Sequence, residues 1–302
     1  MNHSKKSKKG FLIHAFSSEH IDYGKLAVCC ALAIKSTLQN NSVTVIMDGK
    51  TKYKTTSVFS KDIIKTAFDK IIVPDERFQS EKRTHFDSPW YNFQSEFNNQ
   101  SRVLSYKYSP YDETILLDSD YIVMNDCLDD VWGNDEDLLI NNEAIDLKHE
   151  KFGSIEEEKL SKYGVPMYWA TLVYFKKSPF SEMFFELVNY IRDEYEFFQF
   201  LYGFNKGVYR NDFSFSIAVH IINGYITKGI KHFPEKSIIT VYQKDSIAKM
   251  IDSKEIVFIA HDVKEPWKST LLNMKDMNVH IMNKKQLLNV SDEFIKSCME
   301  KL

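Results

Sequence analysis

Asp118 and Asp120, separated by Ser119, are the residues of this chain best placed to do chemistry. They follow the apolar run Thr114-Ile115-Leu116-Leu117, which reads as a central strand of a parallel sheet covered on both faces. Open α/β sheets bind ligands at such carboxyl edges. If the chain stays extended through Ser119, the two-residue side-chain period aims both carboxylates toward one cation, and a metal-bound diphosphate could sit there. A second Asp-x-Asp, Asp135-Glu136-Asp137, has no strand before it and reads as a solvated loop. Three further groups fall where they could converge on the pair: Tyr23 at the start of the first helix, the upstream cation Arg102, and His261 at the end of a late strand.

The elements that must position these residues alternate short apolar runs with helical patterns, the signature of β-α-β units. Strands are expected at 11–16, 43–47, 71–73, 114–118 and 138–140, with helices over 23–38 and 58–68. Residues 75–95 read as an irregular excursion, followed by a helix over 95–109 that Pro110 ends. Beyond them come a short helix near 128–132, a long strand over 165–175, helices over 180–200 and 212–222, a last strand over 256–260 and a terminal helix over 287–302. The expected fold is α/β, a doubly wound, Rossmann-like mixed sheet with helices on both faces. We expect a basic flexible tail over 1–9 and one catalytic domain over 10–302: a nucleotide-binding half (10–125), a sugar and acceptor half (126–270) and a C-terminal extension (271–302).

With 302 residues, 43% of them hydrophobic and 14% aromatic, the chain can bury a substantial core. A net charge of −3 argues against a strongly basic nucleic-acid binder, and no nucleic-acid motif is present. The apolar stretch after the basic N-terminus, 11–16, is too short for a signal core or a membrane span. Four cysteines, without metal spacing or disulfide-scaffold density, point to a reducing, cytoplasmic setting.

Two segments carry a family resemblance: Arg102-Val-Leu-Ser-Tyr-Lys-Tyr-Ser-Pro-Tyr-Asp-Glu-Thr-Ile-Leu-Leu-Asp-Ser-Asp120, and His261-Asp262-Val263-Lys264-Glu265-Pro266-Trp267. Over roughly residues 10–270 the chain resembles the GT-A glycosyltransferases, and within them the glycogenin and galactosyltransferase-like retaining family that uses UDP-sugars. The resemblance implies that Asp118, Asp120 and His261 bind Mn²⁺ or Mg²⁺, with the imidazole favouring Mn²⁺. It implies that Arg102 contacts the metal edge or the sugar nucleotide, that Ser119 lines the nucleotide site and that Lys264 neutralises a phosphate. Tyr23 would stack on uracil, unless it only packs or caps its helix, and the strand end at Ala15 and Phe16 would give backbone contacts to the base. Asp212 would contact donor hydroxyls or the anomeric centre, or else cap its helix. Glu265 departs from the family's uninterrupted Lys-Pro-Trp, and the segment Tyr168 to Tyr174 lacks its Asn and Gly, implying a changed acceptor or sugar pocket.

The expected activity is thus a metal-dependent hexosyltransferase that moves a sugar from a UDP-sugar to an acceptor left open among protein, lipid carrier, glycan and DNA base. The cation would stabilise the charge that grows on the leaving UDP. One alternative is a catalytically inactive nucleotide-sugar-binding protein. A sugar nucleotidyltransferase ranks below it, because no Gly-rich phosphate loop follows the first strand.

Overall fold

The computed structural model describes residues 8–75, 81–88, 91–97, 99–148, 159–160, 164–204, 209–226, 229–242, 244–262, 265 and 267–302, with only the backbone over 81–88, 91–97 and 99–100. The chain runs from β1 (Lys9–His14) through α1 (Tyr23–Thr37), β2 (Ser42–Ile46), α2 (Gly49–Val58), α3 (Lys61–Ala67) and β3 (Lys70–Ile72) to a hairpin of β4 (Glu81–Ser88) and β5 (Tyr91–Phe97). A 3-10 turn over Asn99–Leu104 and the one-turn α4 (Ser105–Tyr108) lead into β6 (Glu113–Asp118), β7 (Tyr121–Ile122), β8 (Leu138–Ile140), β9 (Glu143–Ile145) and β10 (Leu172–Lys176). Three helices follow, α5 (Pro179–Asp193), α6 (Tyr195–Tyr202) and α7 (Asn211–Ile222). The chain then forms β11 (Ser237–Val241), β12 (Ser246–Asp252), β13 (Glu255–His261), β14 (Ser269–Lys275), β15 (Val279–Ile281) and α8 (Lys284–Met299).

The main sheet has the order β3-β2-β1-β6-β10-β8. Its first four strands are parallel, and β10 runs antiparallel to both β6 and β8. This is the mixed, doubly wound α/β sheet that the sequence predicts. Alternation along the central strands splits the core in two. Phe11, Ile13, Ile115 and Leu117 pack on one face with α1 and α8, while Leu12 and Leu116 pack on the other with Phe184 of α5 and Phe215 of α7. A strand covered on both sides must be apolar at every position, which explains the continuous runs.

The α1 helix is apolar nearly all round because it is buried nearly all round, with Leu26 through Ile34 inaccessible. Its start is pressed against α2: a Cβ on Gly24 would meet Thr55 Oγ1 at 2.0 Å, so only glycine fits. The α8 helix is amphipathic, burying Leu287, Ser291, Phe294, Ile295 and Cys298 along one stripe packed on α1.

Two smaller sheets complete the structure, a four-stranded one in the order β7-β15-β11-β9 and an antiparallel three-stranded one in the order β12-β13-β14. The first is what matters for the site. β7 begins one residue after Asp120, and β15 pairs with it antiparallel, with His280 opposite Tyr121.

Several expected elements change. The helix expected over 95–109 is a strand end, a 3-10 turn and a single α-turn, because the segment packs around a buried arginine instead of presenting one apolar face. The helix expected over 58–68 is α3 alone, started by Ser60, whose hydroxyl accepts from Ile63 N. Before it lies α2, which no apolar stripe announces: it is capped by Asp48 and buries only Thr51 and Thr55. The strand expected over 165–175 is regular only in its second half, as β10. Within the expected helix over 180–200, the chain breaks at Glu194 between α5 and α6.

Candidate metal centre

The centre is built at the carboxyl edge of β6. Asp118 is the strand's last residue, opposite His14 of β1, and its N–H donates to Thr171 O at 3.0 Å. Asp120 follows two residues on, and its carbonyl accepts from Ile281 N at 2.9 Å, so its backbone is already tied to β15. Its side chain is 2% exposed. The two carboxylates do face a common space.

Arg102 fixes the first of them. The guanidinium is 1% exposed and forks between Asp118 Oδ1 at 2.6 Å and the carbonyls of Ala170 and Thr171, the latter at 3.1 Å. A planar fork suits this task, since it binds a carboxylate in one orientation. Arg102 is held in turn by its own 3-10 turn. His14 bridges Ser101 Oγ and Ser105 Oγ, each at 2.9 Å, and Ser105 Oγ donates to the Arg102 carbonyl at 2.6 Å. Burial, assisted by the Arg102 charge, holds the His14 pKa well below the ordinary imidazole value, so the ring stays neutral.

The imidazole that meets the aspartates is that of His280, on β15. Its Nε2 lies 3.5 Å from Asp120 Oδ2 and 3.9 Å from Asp118 Oδ2. Asp118, Asp120 and His280 each offer one ligand atom within 4.8 Å of the others. Four residues farther on, Lys284 opens α8, whose start is set by Asn283: its side chain accepts from Gln286 N at 3.4 Å and donates to Asp245 O at 2.7 Å. Lys284 Nζ lies 2.7 Å from Asp120 Oδ2, and among the described residues the buried His280 Nδ1 has no hydrogen-bond partner.

The electrostatics of the two aspartates differ. Burial raises the pKa of Asp118, Arg102 opposes it and the neighbouring Asp120 adds to it, leaving a net upward shift. Burial also pushes on Asp120, but the charges of Lys284 and His280 overcome it and hold that carboxyl well below the usual range. Burial would lower Lys284, yet the Asp120 carboxylate and then the Tyr23 hydroxyl drive it up. Asp120 and Lys284 are therefore a charged pair.

The donor set fits a divalent cation: two hard carboxylates and one imidazole, with the orphaned His280 Nδ1 behind the ring. Asp118, Asp120 and His280 would hold it.

His261 is not part of this set. It ends β13 opposite Ser269, and its backbone N–H donates to Asp245 Oδ1 at 2.9 Å. The topology separates the two histidines: β13 belongs to the three-stranded sheet, whereas the sheet that abuts Asp120 is the one containing β15. Lys264 lies outside the described residues. Tyr23 is half-buried at the start of α1 and close enough to Lys284 to act on its charge. Ala15 is buried, its N–H donating to Ile46 O at 2.9 Å, and the Phe16 ring packs in the core face that holds Leu12. Ser119 is buried between the aspartates.

Asp212 caps no helix. It sits in the first turn of α7, where Oδ1 accepts from Ala170 N at 2.9 Å and Oδ2 lies 3.3 Å from Arg210 Nη2. It thus holds, from the far side, the same 170–171 segment that Arg102 grips, and it is near enough to raise the Asp118 pKa.

Sequence reasoning missed His280 and Lys284. The one available signal is Val279-His280-Ile281, a polar ring between two apolar residues, followed by the capping residue Asn283. Three residues are too few for a period to show.

No family model matches the chain, and neither does any curated protein. Among solved structures, the galactosyltransferase LgtC in complex with donor and acceptor sugar analogs is similar over 97% of this chain and 100% of its own, with a TM-score of 0.44 at 12% identity. Mouse xyloside xylosyltransferase 1 in its apo form is similar over 74% of this chain and 84% of its own, with a TM-score of 0.41 at 10% identity. The glycosyltransferase GlyE of Streptococcus pneumoniae TIGR4 is similar over 77% of this chain but only 45% of its own, with a TM-score of 0.41 at 11% identity, so the chain spans less than half its length. These three structures are glycosyltransferases by name, and at TM-scores under 0.5 they lend this chain neither a substrate nor a residue role.

Proposed function

We propose that the chain is a metal-dependent glycosyltransferase that transfers a sugar, with retention, from a UDP-sugar. One observation carries this reading: two aspartates leaving a central strand converge with a histidine from the far end of the chain, beside a half-buried lysine. A divalent cation, preferably Mn²⁺, would there supply the charge that stabilises a leaving nucleoside diphosphate.

The protein's own groups divide the remaining work. Arg102 keeps Asp118 aimed into the site and acts through it, so it is a positioning residue. Lys284 supplies an ammonium within reach of the same space, suited to a phosphate oxygen. Tyr23 offers a ring beside Lys284 on which a base can stack. Asp212 and Arg102 together hold Ala170 and Thr171 at the edge of the site, where a sugar would lie against the backbone.

The test is UDP release from a panel of UDP-sugars with Mn²⁺, Mg²⁺ or chelator. The wild-type chain should turn over only with metal, and Asp120→Asn should lose about 100-fold or more of that rate. Equal turnover by Asp120→Asn would overturn the assignment. Binding of UDP and Mn²⁺ without release from any donor would identify a binding protein instead.

A further inference from the structure

Lys284 stands where a metal ion needs room. Its Nζ is 2.7 Å from Asp120 Oδ2, the oxygen that His280 Nε2 also faces at 3.5 Å. Asp118 Oδ1 is already committed to Arg102, so each aspartate of the cation set carries a protein cation on one of its oxygens. An ammonium in contact with a ligand oxygen and a divalent ion on that same oxygen repel each other strongly in a site so poorly reached by water. The two cannot be bound together with Lys284 as it stands.

The lysine has a way out. Its side chain is 25% exposed, it rises from the first residue of α8, and its flexible stem can swing the charge without moving the backbone. Once off Asp120 the ammonium needs another anion. Of the described groups that act on its charge, Asp118 already has Arg102 on its Oδ1 and Tyr23 is a phenol.

We propose that Lys284 is an internal counter-cation that competes with the metal for Asp120, and that a nucleoside diphosphate, by accepting the released ammonium, makes metal and nucleotide bind cooperatively. The identity of the anion rests on the glycosyl-transfer reading above; the competition rests on the ion pair. By linkage the coupling is reciprocal: the metal strengthens the nucleotide as much as the nucleotide strengthens the metal. The protein then resists free metal when no nucleotide is present.

The experiment titrates Mn²⁺ into the full chain, following free aqueous Mn²⁺ by electron paramagnetic resonance, with and without saturating UDP. Lys284→Met should bind Mn²⁺ alone about tenfold tighter than wild type, and UDP should strengthen Mn²⁺ about tenfold less in Lys284→Met than in wild type. Lys284→Arg, which keeps the charge, should behave as wild type. A Lys284→Met variant that folds and binds Mn²⁺ no tighter than wild type overturns the competition while leaving the metal site intact. Absence of Mn²⁺ binding to wild type, with or without UDP, overturns the functional reading as well.

A second readout needs no variant. Acylation of the wild-type Lys284 amine, followed by mass spectrometry, should quicken with Mn²⁺ alone and slow again when UDP is added. An acylation rate indifferent to Mn²⁺ at a concentration that fills the site overturns the proposal.

Discussion

Arg102 shows how much one buried charge is asked to do. A guanidinium this far from water is tolerated only because Asp118, Ala170 and Thr171 receive it, and those groups span the β6 edge and the entry to β10. Arg102→Ala should therefore destabilise the fold by about 3 kcal/mol, seen as a lower urea midpoint, because it empties a buried site and leaves a half-buried carboxylate and two carbonyls uncompensated. Arg102→Lys should unfold nearer the wild-type midpoint but bind Mn²⁺ about 10–100-fold more weakly, since a point charge cannot hold Asp118 in one orientation. The aspartates and this arginine are legible in the sequence because strand, spacing and upstream cation lie within one short stretch. The histidine is not. His261 closes a seven-residue strand that announces itself, whereas His280 lies in a three-residue strand between partners from distant parts of the chain, β7 and β11. Only the pairing across the fold tells the two apart.

At the scale of elements, the β7–β15 pair is the hinge on which the centre depends, and Asn278 fastens it. Its Oδ1 accepts from Met124 N at 2.8 Å and Asn125 N at 3.1 Å, and its Nδ2 donates to Asn125 Oδ1 at 2.7 Å. This side chain, 1% exposed, ties the exit of β7 to the entry of β15 two residues before His280. Asn278→Ala strands one buried and one half-buried N–H group, and we expect a loss of about 2 kcal/mol in urea unfolding together with weaker Mn²⁺ binding. An unaltered Mn²⁺ affinity in that variant would show that His280 is placed by α8 and not by the strand pair. The main sheet could be read from its apolar runs because both faces of each central strand are buried. The sheet that carries His280 could not, because β7, β9 and β15 are only two or three residues long and pair with partners far away in sequence.

For the molecule as a whole, the neutral histidine under Arg102 sets the acid limit of stability. In the unfolded chain His14 titrates near its ordinary 6.5, while in the fold burial and Arg102 hold it well lower. Below pH 6.5 the unfolded state therefore takes up a proton that the native state refuses, and stability is lost as pH falls. Urea unfolding should show wild type losing up to about 1.4 kcal/mol per pH unit more than His14→Asn across that window. Equal slopes would mean that His14 is protonated in place. The tie between Ile281 N and Asp120 O carries a last consequence for how this chain comes to be finished. More than half its length separates those residues, so a nascent chain emerging from a ribosome displays Asp120 bare long before its partners exist. Joining ends so remote is entropically slow, and the sheet can assemble first. Metal-binding competence should thus arrive late, only when β15 pairs with β7 and carries His280 onto the waiting aspartates.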